Sequence, residues 1–231
     1  DMTLEACAQQ CQVVVVSVPL DHTLDIIRKI GPLMPEDALL MDVTSLKSQP
    51  LEAMLRYARC EVVGTHPVFG PNVRDFANQT VVLCPGRGEK WKRWLIDLLK
   101  RKRAKVKECS AAEHDHMMAI IQGMIHFSTI SMGHVFQELA VDIDQTLDFS
   151  SPIYKIRMDM IGRILNQSAE LYCDIEMMNP ETIGVLEAYI QSCQVLLEHV
   201  KNGDRDGFVQ YFQQAAEYFG AFKSEAVRES D

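Results

Sequence analysis

Hydrophobic and polar residues along this chain change their period once, near residue 110. Before that point, short aliphatic runs alternate with amphipathic stretches. Val13-Val14-Val15-Val16-Ser17-Val18 lacks polar alternation, which predicts a strand covered on both faces in a parallel sheet, and Pro19 ends it. Asp21 or Thr23 can then cap a helix whose Leu24, Ile26, Ile27 and Ile30 share one face before Gly31-Pro32 stops it. Leu39 to Val43 predicts a second buried strand, followed by Thr44-Ser45-Leu46-Lys47 and a helix to about Tyr57. Glu61 to Thr65 and Thr80 to Cys84 predict two more strands, Gly86 to Gly88 a turn, and Trp91 to Leu99 a helix. Lys105 to Glu108 closes the alternation as a fifth strand. Strands and helices at this spacing indicate a doubly wound, mostly parallel α/β layer.

From Ser110 onward the period is helical: Met117 to Phe136, Leu147, Ile156 to Leu165, Ile183 to Val200, and Phe208 to Phe222. Val141 to Gln145 and Ser150-Ser151-Pro152 read as connections between helices. The expected division is therefore an α/β domain over 1–109 and an all-α domain over 110–231. Several helices are apolar on more than one side, which favours packing against a second copy.

At 231 residues and 47% hydrophobic the chain can bury a substantial core. A net charge of −9 and a pI near 5.3 argue against a nucleic-acid partner. Lys100-Arg101-Lys102-Arg103 is explained by a solvated helix end facing the negative pole of the helix dipole. Seven scattered cysteines with no CxxC pair fit reduced thiols in a cytoplasmic protein. No apolar run reaches the roughly 18 residues of a membrane span, and no signal-peptide pattern opens the chain, so a soluble protein is expected.

Chemistry concentrates at Glu61 to Pro71, where Gly64, Pro67, Gly70 and Pro71 predict that the backbone leaves the sheet and delivers His66 at or just beyond a strand end. Ligands of open α/β sheets bind at the carboxyl ends of strands, and imidazole titrates near neutrality. If the strands run parallel, Ser17-Val18-Pro19, Thr44 to Lys47 and Thr65-His66-Pro67 meet on one edge, with Ser45 and Lys47 beside His66. Ser45 and Lys47 also suit a helix cap and a solvated first-turn lysine.

Glu113-His114-Asp115-His116 is rejected as a metal site, because residues two apart on a helix point roughly 200° apart. His126 in the apolar stretch 120–130 suits a core histidine or one beside a cleft. Arg163, after Met160-Ile161-Gly162, requires an anion: Asp159, Glu170 or a ligand carboxylate. A dinucleotide-binding domain opens with a GxGxxG turn after its first strand. The sequence contains none, and its first strong strand carries an ending that belongs later in the order, so the chain is expected to begin partway through the domain.

The combination DVTSLK, GTHPVFGP, EHDHMMAIIQGMIHF, SSPIYKIRMDMIGRI and AELYCDI resembles prephenate dehydrogenase, most of all the dehydrogenase portion of bifunctional chorismate mutase/prephenate dehydrogenases. The resemblance runs from about Val13 to the C-terminus. It implies a Rossmann-like domain followed by a helical dimerisation domain. It also implies a homodimer and NAD-dependent oxidative decarboxylation of prephenate to 4-hydroxyphenylpyruvate in tyrosine biosynthesis.

On this resemblance His66 is the catalytic base, with Ser45 beside it. Ser17, Val18, Pro19, Thr44, Lys47 and Pro67 line the cofactor, Arg163 binds a substrate carboxylate, and His126 and Gln122 lie on the substrate side. Tyr172 matches a position associated with the aromatic end product, which makes tyrosine a candidate feedback inhibitor. Lys155 departs from the arginine of many relatives. The alternatives are an arogenate dehydrogenase, a β-hydroxyacid dehydrogenase, which would place a catalytic lysine in the helical half, or a non-catalytic module that kept the fold.

Overall fold

The computed structural model describes residues 2–70 and 73–230, and of 229 and 230 the backbone alone; Pro71 of the punctuated loop lies outside them. In order, the elements are α1 (Leu4–Gln10), β1 (Val13–Val16), α2 (Leu20–Ile30), β2 (Leu39–Asp42), α3 (Ser48–Tyr57), β3 (Glu61–Pro67), β4 (Thr80–Arg87), α4 (Lys90–Arg101) and β5 (Lys105–Glu108). Helices follow: α5 (Ala111–Met118), a π-helical segment over Ala119–Met124, α6 (Ile125–Glu138), α7 (Ile143–Asp148), α8 (Pro152–Leu165), α9 (Ala169–Met178), α10 (Thr182–Lys201), α11 (Arg205–Phe219) and α12 (Phe222–Ser230). The chain forms two compact units. One holds the residues up to Gly123 together with Ser168–Thr182, the other Met124–Gln167 and the residues from Ile183 onward.

In the first unit five strands form one sheet in the order β1-β2-β3-β4-β5, parallel throughout except where β4 runs against β3. The period of two along each strand sorts side chains between two cores. Leu40, Val62 and Val82 pack with Ile27 and Ile30 of α2 and Met54 of α3. Leu39, Met41, Val63 and Leu83 pack on the opposite side with Trp91, Leu95 and Leu99 of α4. Helices on both faces make this a doubly wound layer.

Several local expectations are corrected. Val15 leaves 46% of its surface exposed, so β1 is covered on one face only, whereas β2 is buried along its whole length. α2 starts at Leu20 with Pro19 as its cap residue; Thr23 lies inside the helix and donates to the Pro19 carbonyl, so neither Asp21 nor Thr23 caps it. β3 continues through Gly64 to Pro67, which places His66 inside the strand, paired with Val82. β4 likewise continues through Pro85 and Gly86 to Arg87, and the slip in register between Val62 and Val63 leaves one extra residue on β4. The turn is made by Gly88 and Glu89, with Gly88 at φ 91, where a Cβ would fall about 2.1 Å from the Glu61 side chain. Residues 143–148 form the helix α7, capped by Asp142, rather than a connection, and α9 is a helix the apolar period did not mark.

Candidate active site

Parallel pairing of Val16 with Asp42, and of Asp42 with Gly64, sets the carboxyl ends of β1 and β2 level with Gly64, from which β3 runs on to Pro67. At this edge the chain buries charge. The Lys47 side chain is wholly buried and its ammonium donates to the Asp42 carboxylate, to Thr44 Oγ1 at 3.3 Å and to the Thr65 carbonyl at 2.7 Å. Three partners satisfy all three donors. Lys47 is therefore a buried strut under the residue before His66, and the solvated-lysine reading fails. Its stem passes over Gly64, where a Cβ would sit 3.3 Å from Lys47 Cδ, so the strand glycine leaves room for the lysine. Burial pulls the Lys47 ammonium below its ordinary pKa, opposed by the Asp42 charge.

His66 is buried on the same face of β3 as Gly64 and Val62. Its Nδ1 lies 2.9 Å from Nε2 of His114 on α5, and the rings meet edge to face at an interplanar angle of 68°. His114 Nδ1 in turn lies 2.7 Å from Asp115 Oδ1. Asp115 also accepts from the backbone amides of Lys47 and Ser48, each at 2.8 Å, so its carboxylate caps the start of α3 from 67 residues away. Ser45 is not that cap, and among the described residues it makes no hydrogen bond. Burial alone would raise the Asp115 carboxyl, but the hydrogen bonds from His114, Ser48 and Lys47 outweigh it and hold it below its ordinary value.

Desolvation lowers the His66 pKa to about 3, with His114 and Lys47 adding to the effect and Asp115 opposing it. His66 is thus neutral near pH 7, the form a proton acceptor requires. The same shift makes stability depend on pH. Between about pH 6.5 and 3 the unfolded chain binds a proton that the folded site refuses, so this group's contribution is present above 6.5 and lost as pH falls. Denaturant unfolding across that window should give the His66→Asn protein a slope up to about 1 kcal/mol per pH unit shallower than the unsubstituted protein. Equal slopes would mean that His66 is not buried neutral.

Ser17 and Pro19 are exposed at the end of β1, Val18 and Pro67 are half-buried, and Thr44 is buried, its hydroxyl donating to the Leu46 carbonyl at 2.9 Å. Gln122 lies in the π-helical segment, a form frequent at functional sites, and its Oε1 is buried without a hydrogen bond among the described residues. Tyr172 is buried on α9 in the first unit. In the second unit, His126 is half-buried in the first turn of α6, and burial lowers its imidazole pKa. Arg163 is exposed on α8. Asp159 pairs with Lys155, and Glu170 accepts from Ser168 at 2.7 Å. Among the described residues Arg163 makes no ion pair.

Residues 2–108 match the family model described as "Prephenate dehydrogenase, nucleotide-binding domain", and residues 110–214 the one described as "Prephenate dehydrogenase, dimerization domain". The chain belongs to the prephenate dehydrogenase family. It is 40% identical over 226 residues to a Methanocaldococcus jannaschii protein named "Probable arogenate/prephenate dehydrogenase", covering 96% of this chain and 50% of that protein. It is 38% identical to the T-protein of Haemophilus influenzae, covering 98% of this chain and 60% of that protein. The chain thus spans about half to three fifths of the length of these relatives. Prephenate dehydrogenase from Aquifex aeolicus in complex with hydroxyphenyl propionate and NAD+ shares the fold, with a TM-score of 0.75 over 94% of this chain and 79% of that one at 18% identity.

His114, Asp115 and Asp42 are the residues that reading the sequence missed. The signals were present. Asp42 ends a fully buried strand and needed a buried cation, and a His-Asp pair opening the first helix after the last strand stands where it can reach the sheet edge.

Proposed function

We propose that this protein catalyses the NAD-dependent oxidative decarboxylation of prephenate to 4-hydroxyphenylpyruvate, a step toward tyrosine. The observation that carries the reading is a neutral, buried His66 at the carboxyl edge of three parallel strands, with Nδ1 engaged by His114 and Nε2 making no hydrogen bond among the described residues. In this reaction His66 Nε2 takes the proton of the ring hydroxyl while the carbon bearing it loses hydride. Oxygen becomes a carbonyl, so the base stabilises the transition state more than the ground state. Departure of CO2 then makes the ring aromatic. NAD, when bound, supplies the hydride acceptor.

The residues at this edge suit the nicotinamide half of the cofactor. Ser17, Val18 and Pro19 run into an α2 whose first amides receive no side-chain cap, and the positive end of a helix favours an anionic ligand there. Thr44, Ser45 and Pro67 complete the edge, with Lys47 acting beneath it. We assign residues 1–109 to this dinucleotide function and 110–231 to substrate binding and dimerisation. The family description of residues 110–214 as a dimerization domain supports the second assignment. So do the exposed apolar side chains of its long helices, among them Ile153, Ile183, Val200 and Phe212. The seven free thiols suit the reducing cytoplasm.

Arg163, which makes no ion pair among the described residues, is assigned to a substrate carboxylate, and Gln122 and His126 to the substrate side. Arg163→Gln should raise the KM for prephenate roughly tenfold to 150-fold, the range of a hydrogen bond to a charged group, and leave NAD binding unchanged. Unaltered kinetics would remove Arg163 from the site. Tyr172 is assigned to an inhibitory tyrosine site, so tyrosine should inhibit the native protein and inhibit a Tyr172→Phe variant less.

The deciding experiment supplies full-length protein with NAD and prephenate and follows NADH together with 4-hydroxyphenylpyruvate. Turnover of arogenate but not prephenate would favour the sibling activity carried in the name of the M. jannaschii relative. Failure to bind either NAD or prephenate would leave a non-catalytic module.

A further inference from the structure

We propose that His114 and Asp115 are positioning residues that hold His66 in the tautomer carrying its proton on Nδ1, so that Nε2 is always the atom presented as base. The proposal rests on the reading of His66 as the proton acceptor.

Asp115 is fixed in place: its oxygens accept from the Lys47 and Ser48 amides at 2.8 Å each, and its own carbonyl accepts from Asn179 Nδ2 at 2.8 Å. The start of α3 thus holds the Asp115 side chain, and the segment after α9 holds its backbone. A carboxylate only accepts hydrogen bonds, and its Oδ1 lies 2.7 Å from His114 Nδ1, so that nitrogen must carry a proton; the opposite tautomer would set two lone pairs against each other. With Nδ1 protonated, neutral His114 presents a lone pair at Nε2. That lone pair lies 2.9 Å from His66 Nδ1, which must then be the donor. The remaining nitrogen of His66, Nε2, is left as a lone pair. Free imidazole has no such constraint, and each exchange of tautomer in an unconstrained ring would turn the base into a donor.

Protonation of His66 Nε2 by substrate breaks the substrate O–H bond and forms Nε2–H, leaving an imidazolium whose Nδ1–H still points at His114. The positive charge then faces the accepting nitrogen of His114 at 2.9 Å, backed by the Asp115 carboxylate, so His114 stabilises the imidazolium directly and Asp115 through it. The logic parallels the aspartate of hydrolase triads, where the wrong tautomer costs about four orders of magnitude. Here the intermediary is a second imidazole rather than a carboxylate in direct contact.

The test uses the full-length protein labelled with 15N in its histidine rings. His66 is assigned by the signals lost in His66→Asn. At neutral pH His66 should show a protonated Nδ1 and an unprotonated Nε2. His114→Leu should release that preference and lower kcat with prephenate by roughly two to four orders of magnitude with little change in KM. His114→Gln supplies an amide oxygen for His66 Nδ1 and an NH2 for Asp115, and should keep both the tautomer and kcat within about tenfold. Thermal unfolding of each variant separates a lost fold from a lost tautomer, and where His114→Leu does not fold, the spectrum of the unsubstituted protein and of the glutamine variant decide. A His66 protonated on Nε2 in the unsubstituted protein, or an unchanged tautomer and kcat in folded His114→Leu, would overturn the proposal. Tautomers that behave as expected in a protein that turns over no prephenate would support the positioning role and overturn the functional reading alone.

Discussion

His66→Asn is expected to lower kcat for prephenate by roughly two to four orders of magnitude, the usual loss when a general base is removed. Asparagine keeps a polar side chain of similar reach and can still face His114, so the sheet edge should persist. What it lacks is a lone pair able to accept a proton. NAD affinity should stay within about threefold, because the edge assigned to the cofactor, Ser17 to Pro19 and Thr44, is untouched. KM should change little if the hydroxyl contact matters chiefly in the transition state, so that kcat and kcat/KM fall together. In the unsubstituted enzyme the acid limb of kcat/KM should lie below pH 6.5, because burial favours the neutral ring, and that limb should vanish in the variant. Turnover in His66→Asn within tenfold of the native value would remove this residue from the chemistry and leave its burial as its whole role.

The edge on which His66 lies could be read from the sequence because parallel strands joined by crossover helices must bring their carboxyl ends to one edge, and His66 is the second-last residue of such a strand. The extent of its strand could not. Gly64 and Pro67 look like breaks, yet Gly64 stays in the sheet because its missing side chain lets Lys47 pass beneath, and the antiparallel β4 supplies partners as far as Pro67. Val15 misled in the opposite sense: four valines in a row indicate burial on both faces, but β1 is the last strand of this sheet and one of its faces is left uncovered. Short helices such as α7 carry too few apolar residues for a period to register.

The larger omission was the pair His114-Asp115. As metal ligands these neighbours on one helix would have to converge, whereas the partner of His114 lies 48 residues earlier on a strand. A contact of that span follows from packing α5 against the sheet. No local pattern encodes it. Lys47 shows the related limit: the family resemblance put it near the cofactor, and only side-chain packing shows that its ammonium is already satisfied by Asp42, Thr44 and Thr65.

That buried pair carries the largest expected effect on stability. Lys47→Met should destabilise the protein by about 3–5 kcal/mol, because it strands the Asp42 carboxylate without a counter-ion where neither side chain has any exposed surface. Thr44 would remain as a hydrogen-bond donor, but Asp42 Oδ1 already has no partner among the described residues, and the Thr65 carbonyl would lose its ammonium as well. Asp42→Leu should cost a similar amount from the other side by leaving the ammonium alone. The double variant Lys47→Met/Asp42→Leu removes both charges and should recover most of the loss, since a buried ion pair contributes little net stability over a well-packed apolar pair. Urea unfolding of the four proteins gives the coupling directly. If Lys47→Met costs less than 1 kcal/mol, the charges are not held dry at this edge. If the two losses simply add in the double variant, Asp42 and Lys47 do not depend on one another. Near-complete recovery of stability together with weakened turnover would separate the two things this pair does: the fold needs only that neither charge be left alone, whereas the backbone carrying His66 needs the hydrogen bond that Lys47 makes to Thr65.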